Sequence, residues 1–233
     1  MIKNIFIVVL LTTILFSCTK NKKGDMTVQG TIKGLQKGTL YLQKMQDTLL
    51  VSVDSINLKG VNTFMLSDQN TEPQLYYLTL KEKSDEKINF FGEKGTITIN
   101  TKLEKFYTSA KIEGSESHKL LEKYRKMTTQ FSGRRLDLIK EIFDAQTVKD
   151  DELIVELDKD LQNLIKNRYR YSASFSIRNS NSEVAPYIAL TELYDAHITL
   201  LDTVNNSLSR KVKKSLYGKK LDAYIKDIKA SEE

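Results

Sequence analysis

The sequence predicts an α+β protein, an N-terminal antiparallel β-sandwich followed by an all-helical C-terminal segment. Three observations lead there. Short runs of β-branched and alternating apolar residues recur between residues 26 and 112, divided by Gly and Asn/Asp clusters. At Gly114-Ser115 the apolar period lengthens from strand-like to helix-like. Beyond that point, long stretches keep apolar residues at i, i+3/i+4 and i+7. The chain divides accordingly into 1–17 (leader), 18–25 (tether), 26–114 (sandwich) and 115–233 (helices).

The strands are expected in this order. Residues 27–32 (TVQGTI) alternate and end at Gly34, and 39–42 (TLYL) follow a Lys37-Gly38 turn. Residues 48–58 (TLLVSVDSINL) stop at Lys59-Gly60, and 63–66 (TFML) come next. Residues 75–80 (LYYLTL) follow Pro73, and 88–91 (INFF) lead into the turn Gly92-Glu93-Lys94-Gly95. Residues 96–99 (TITI) alternate cleanly, and Lys111-Ile112 closes the sheet. Gly34, Gly38, Gly60, Gly92 and Gly95 are expected at turn positions with positive φ.

The helices start with Ser115 or Ser117 as cap, with Leu120, Leu121, Tyr124 and Met127 on one face and a break at Gly133. Leu136, Ile139, Ile142 and Phe143 mark a second stretch. Asp150-Asp151 opens a third, with Leu153, Ile154, Leu157, Leu161, Leu164 and Ile165 in register and a continuation through Tyr171 and Phe175. Residues 179–182 (NSNS) are a turn, and Pro186 sits early in the next helix. Tyr187, Leu190, Leu193, Tyr194, Ile198 and Leu201 form its stripe, and a last helical region covers about 207–228, interrupted at Gly218.

The start of the chain carries a different signal. Lys3 precedes an apolar run at 5–16 (IFIVVLLTTILF). As a helix that run spans roughly 18 Å, short of the roughly 30 Å hydrocarbon core, which suits the h-region of a signal peptide and not a transmembrane helix. Leu15-Phe16-Ser17-Cys18 then resembles the lipobox of bacterial lipoproteins, with Phe16 bulkier than the usual residue. The resemblance implies cleavage before Cys18, thioether diacylation of its sulfur and N-acylation of the new amine, more than enough acyl chain for stable anchoring. Cys18 is the single cysteine of the sequence, so a disulfide, a CxxC pair and a thiolate metal site are excluded from the mature chain. Residues 19–25 (TKNKKGD) read as a polar tether whose lysines lie within reach of anionic headgroups.

The full chain of 233 residues has a formal charge of +6, and Lys3 is the only charge in 1–17, so the chain from Cys18 onward carries +5. That mild, interspersed basicity does not indicate nucleic-acid binding. With no Trp and two Pro, the eleven Tyr and nine Phe must supply the large core pieces.

An ordered set of residues carries a further resemblance: Gly30-Thr31-Ile32-Lys33-Gly34, Gly38-Thr39-Leu40-Tyr41-Leu42, Asp54-Ser55-Ile56 with Phe64, Phe90-Phe91-Gly92-Glu93-Lys94-Gly95-Thr96-Ile97-Thr98-Ile99, and Gly114-Ser115. Over about 25–115 the chain resembles the DUF4369 domain of Bacteroidota envelope proteins. That domain often precedes a thioredoxin-like domain in proteins similar to the TlpA family of thiol–disulfide oxidoreductases. Residues 181–187 (NSEVAPY) and 215–221 (SLYGKKL) look like the helical linker of those proteins. Their redox domain would begin near Glu233, so the resemblance implies the part that precedes catalysis, without the catalytic CxxC.

The candidate chemistry is sparse. Glu93 and Asp54 are turn or strand carboxylates, expected to be solvated or bonded to local amides. Ser115-x-x-His118 reads as a cap and a solvated neighbour, and His197 as a partly buried packing residue beside Tyr194, Ile198 and Leu201. Neither histidine has a second ligand at metal-like spacing, and no phosphate loop, GxSxG or HExxH occurs. The cluster Arg210-Lys211-Val212-Lys213-Lys214 with Lys219-Lys220 reads as a solvated helix face, or as a surface for an anionic lipid or acidic partner. The reading is a non-enzymatic, cofactor-free, lipid-anchored envelope protein, held on the periplasmic face of the outer membrane and serving as a docking module. Its partner would be an envelope protein, specifically a separate thioredoxin-like one. The competing classes are a small-ligand carrier using the sandwich–helix cleft and a carboxylate-dependent hydrolase.

Overall fold

The computed structural model describes residues 24–81 and 86–231. Cys18, the leader 1–17 and most of the tether lie outside the described residues. Eight strands form two four-stranded sheets: β1 (Met26–Lys33), β2 (Lys37–Gln46), β3 (Leu49–Lys59), β4 (Thr63–Asp68), β5 (Gln74–Thr79), β6 (Ile88–Gly92), β7 (Gly95–Lys102) and β8 (Lys111–Glu113). The first sheet has the order β4-β1-β7-β8 and the second β3-β2-β5-β6. Their inner faces share one core, in which Met26, Val28, Ile32, Leu66, Ile97 and Ile99 meet Leu40, Leu42, Leu58, Tyr76, Leu78 and Phe90. The predicted sandwich is therefore present, with one departure: β1 pairs with β7 in parallel, Met26 opposite Gly95, while the remaining pairs are antiparallel. Alternating sequence specifies which face a strand buries, and it is silent on the direction of the neighbour.

Strand composition follows coverage. β1 and β7 alternate because one face meets the core and the other meets solvent. In β5 and β6 the apolar residues run on, because helices cover the second face as well. Tyr76, Leu78 and Phe90 enter the sandwich core, whereas Leu75, Tyr77 and Phe91 point into a second cluster against the helices. Gly34, Gly60 and Gly95 adopt positive φ as expected, but Gly38 and Gly92 lie in β2 and β6 at ordinary φ.

The helices are α1 (Glu116–Val148), α2 (Asp151–Arg178), α3 (Val184–Glu192), α4 (Ile198–Ser207), α5 (Arg210–Lys213) and α6 (Leu216–Ser231). Ser115 Oγ accepts from the His118 amide at 3.0 Å, and Asp150 caps α2 by accepting from Leu153 N–H at 3.1 Å. Gly133 does not break α1, which passes straight through it with open space where a Cβ would stand. The expected second stretch is thus the far half of one 33-residue helix, about 50 Å long. Lys149, in the left-handed region at φ 58°, ends α1 and reverses the chain into α2. Gly218 does not interrupt the last helix either. The interruption falls between α5 and α6, and Gly218 lies inside α6, where a Cβ would stand 2.0 Å from the Val212 carbonyl oxygen.

Candidate functional site

Two carboxylates of the sandwich hold the first turns of two helices. Glu93, in the β6–β7 turn, accepts from Glu116 N–H at 2.6 Å and from the Ser117 hydroxyl at 2.5 Å. Glu72, before β5, accepts from Leu216 N–H at 3.0 Å at the start of α6. Each places negative charge on amides that no helical carbonyl can satisfy. Asp54 accepts from Ser55 N–H and Ser67 N–H, both at 2.8 Å, and so ties β3 to the end of β4. Glu93 and Asp54 therefore serve different joints.

The histidines exchange the environments expected of them. His118 is buried, 4 % exposed, and its Nδ1 has no hydrogen-bond partner. Burial pushes its pKa below the ordinary value, outweighing the nearby Glu122 carboxylate, 3.8 Å from Nε2. His197 is exposed and caps α4, its Nδ1 accepting from Thr199 N–H at 3.3 Å. Local spacing placed the cap at Ser115 or Ser117, and the structure puts it at Ser115; which side of a turn meets the core is set by packing.

A sharper titratable group escaped the sequence reading. Asp68 of β4 accepts from Lys44 Nζ at 2.6 Å and from the Tyr76 hydroxyl at 2.7 Å, and Lys44 also stands over the Tyr76 ring. Burial first, then the bond to Asp68, raises the Tyr76 pKa far above that of a free phenol. A phenol so held is a donor to its carboxylate and not a base. The trio bridges the two sheets as a satisfied ion pair. No local motif announces it, since its members sit on three strands. Among the described residues no group of three or more His, Cys, Asp or Glu is placed to hold a metal ion, and no helix is long and apolar enough to cross a membrane.

The junction of sandwich and helices is filled. Phe91 meets Tyr187 edge-on at 5.2 Å and Tyr217 at 5.9 Å, while Tyr124 packs on Phe175 and Tyr171. The polar tips are satisfied: Leu75 N–H donates to the Tyr217 oxygen at 3.1 Å, and the Tyr124 oxygen lies 2.7 Å from Ser172 Oγ. Aromatic side chains of the protein itself pack where the competing reading placed a sandwich–helix cleft.

The far end of the α1–α2 hairpin offers a surface instead. Leu138, Ala145 and Leu157, with Ile142, Ile154, Leu161 and Leu164, form a seam separate from the sandwich core. On the opposite side of α1, Leu136 (66 % exposed), Ile139 and Phe143 (67 %) recur at i, i+3 and i+7. Val148 at the tip and Val155 on α2 are also exposed. Scattered exposed apolar residues are ordinary, whereas these three share one helical face and form a candidate interaction surface. Arg135, Asp137, Lys140 and Asp144 flank the stripe with both signs of charge.

Residues 26–121 match the family model described as a domain of unknown function, DUF4369. The match supports the resemblance read from the sequence over that stretch. It extends past β8 into the first residues of α1, where Leu120 and Leu121 pack with Phe91. No curated protein and no solved structure matches the chain.

Proposed function

We propose that the protein is a lipid-anchored, non-enzymatic docking module of the cell envelope, and that the outer stripe of its helical hairpin enters an apolar groove on a partner protein. The carrying observation is the stripe Leu136, Ile139 and Phe143, which has the i, i+3, i+7 anchor spacing of helix-in-groove recognition. The mixed charges beside it suit a groove with a mixed polar rim. The resemblance to the part that precedes a redox domain makes a separately encoded thioredoxin-like oxidoreductase of the envelope the specific partner. Anchoring through acylated Cys18 on the periplasmic face of the outer membrane would keep the hairpin near the bilayer.

The test places a photocrosslinking residue at position 143 of the full chain in its native envelope, with position 159 as control. A discrete adduct with a thioredoxin-like protein at 143, lost when Leu136→Asp is added, supports the reading. Equal adducts at both positions, or none together with a co-purified metabolite, overturns it. Anchoring is checked separately: labelled palmitate is expected on the wild type and absent from Cys18→Ser. Loss of the protein on protease shaving of intact cells would place it on the cell surface instead.

A further inference from the structure

The β2–β3 hairpin outruns the sheet that carries it. Pairing of β2 with β5 stops at Lys44, whereas pairing with β3 continues through Met45 opposite Leu50 and Gln46 opposite Leu49. Asp47 turns the chain at φ 55°. Among the described residues no third strand pairs with these last rungs, and a two-stranded ribbon gains little stability from its own pairing. The tip is nevertheless apolar: Leu49 is 69 % exposed, Met45 is 38 % exposed and Leu50 is half-buried. Neither Leu49 nor Met45 belongs to an apolar cluster of the fold. The chain enters the fold at the base of this tip. Gly24 lies so close to β4 that a Cβ would stand 2.1 Å from the Asp68 carbonyl oxygen, and Asp68 accepts from Lys44 Nζ at 2.6 Å. Six steps of chain separate Gly24 from Cys18. Fully extended, they reach about 20–22 Å. From Lys44 to Asp47 the hairpin rises about 10 Å. The opposite end of the sandwich, where Val61 is exposed, stands farther from the chain entry by the length of β1, about 25 Å.

We propose that the β2–β3 tip is a second membrane contact, with Leu49, Met45 and Leu50 seated in the headgroup layer of the bilayer that holds the acyl chains of Cys18. The proposal rests on the anchoring read from the lipobox. An anchor at Cys18 leaves the tip within reach of the lipid on a slack tether, whereas the Val61 end touches it only with the tether fully drawn out. Asp47, exposed at the turn, keeps the contact shallow, since a carboxylate is tolerated among zwitterionic headgroups and costly in hydrocarbon. Two or three apolar side chains hold a bilayer weakly by themselves, but the anchor supplies them at high local concentration. One attachment leaves the domain free to rotate on its tether; two decide which end of the sandwich faces the lipid.

The test puts an environment-sensitive thiol dye on Thr48→Cys, which leaves the apolar residues in place, and on Asn62→Cys beside Val61 as the control. The acylated chain, whose Cys18 sulfur no longer reacts, is reconstituted in phosphatidylcholine vesicles with brominated acyl chains. A blue shift and loss of emission are expected at 48 and neither at 62. Met45→Ser with Leu49→Ser, both on the exposed tip, is expected to restore the emission at 48. The proposal is overturned by no quenching at 48, by equal quenching at 62, or by quenching that survives the two serines. A blue shift in detergent that grows with protein concentration would assign the tip to a second copy and also overturn it. A parallel arm keeps the anchor separate: the Cys18→Ser chain, with a hexahistidine tag in place of residues 1–17, is held on vesicles by nickel-chelating lipid. Quenching at 48 there, with no palmitate on the wild type, strikes the acyl anchor and upholds the tip contact. Palmitate on the wild type with no quenching in either arm strikes the tip contact alone.

Discussion

Both oxygens of Glu93 are engaged by the first turn of α1, one by an amide and one by the Ser117 hydroxyl. Glu93→Ala is expected to cost about 1–2 kcal/mol, combining a lost helix cap with a lost charge–dipole contact. A lower urea midpoint at unchanged slope would register it; an unchanged midpoint would contradict the role. His118 makes a pH prediction. Its pKa is depressed in the folded state, so the unfolded chain takes up the proton first. Stability is full above the ordinary pKa of about 6.5 and declines as pH falls below it. Denaturation at pH 7.5 and 5.5 checks this, and His118→Gln is expected to flatten the dependence. These residues also show what the sequence made legible. The helix starts near Ser115 and Asp150 were readable because a cap's donor and acceptor are three positions apart, although Ser115 and Ser117 stood as alternatives. Glu72 and Asp68 were not, because their partners stand on elements distant in the chain.

At the scale of elements, Gly133 and Gly218 look alike in the sequence and behave oppositely. Both were expected to break helices, and both lie inside them. A Cβ at Gly133 meets nothing within 4 Å. Gly133→Ala is therefore expected to stabilise the protein by up to about 1 kcal/mol through helix propensity. A Cβ at Gly218 would meet backbone that cannot retreat, so Gly218→Ala is expected to destabilise by about 1–3 kcal/mol. Thermal melts of the two variants should shift in opposite directions. The hairpin shows the same limit of periodicity. The seam Leu138, Ile142 and Ala145 and the outer stripe Leu136, Ile139 and Phe143 are both helical repeats. Sequence alone gave no means of telling which would be covered by α2. The basic cluster divided similarly, with Lys213 and Lys219 reaching a shared cleft while Lys211 lies 3.3 Å from buried Glu183.

At the scale of the whole molecule, Phe91 is the joint. It projects from β6 into the aromatic cluster of α1, α2, α3 and α6. Phe91→Ala is expected to cost about 3–5 kcal/mol, the range for a buried aromatic truncation. If sandwich and helices behave as one cooperative unit, near-ultraviolet and far-ultraviolet dichroism will lose signal together at a lower midpoint. If the variant instead melts in two steps, the Glu93 and Glu72 contacts alone do not couple the layers. The order of strands then helices was legible because the apolar period changes at Gly114-Ser115. The continuous runs at 75–80 and 88–91 held a further clue, since strands apolar on both faces demand a cover on each side.

The parallel partnership of β1 and β7 governs the order in which the chain can be built. Thr31 N–H bonds to the Asn100 side chain, 69 positions further on, whereas the α1–α2 hairpin closes over a single tight turn. During synthesis β1 emerges first and its parallel neighbour far later, so the β7-facing edge of β1 stays unpaired until the chain has been extended through Lys102. Closing that long loop is the slow entropic step for the first sheet. In pulse-labelled hydrogen exchange during refolding, amides of the hairpin are expected to gain protection before those of β1. Simultaneous protection would mean that the oldest strand in the chain is not the last to find its place.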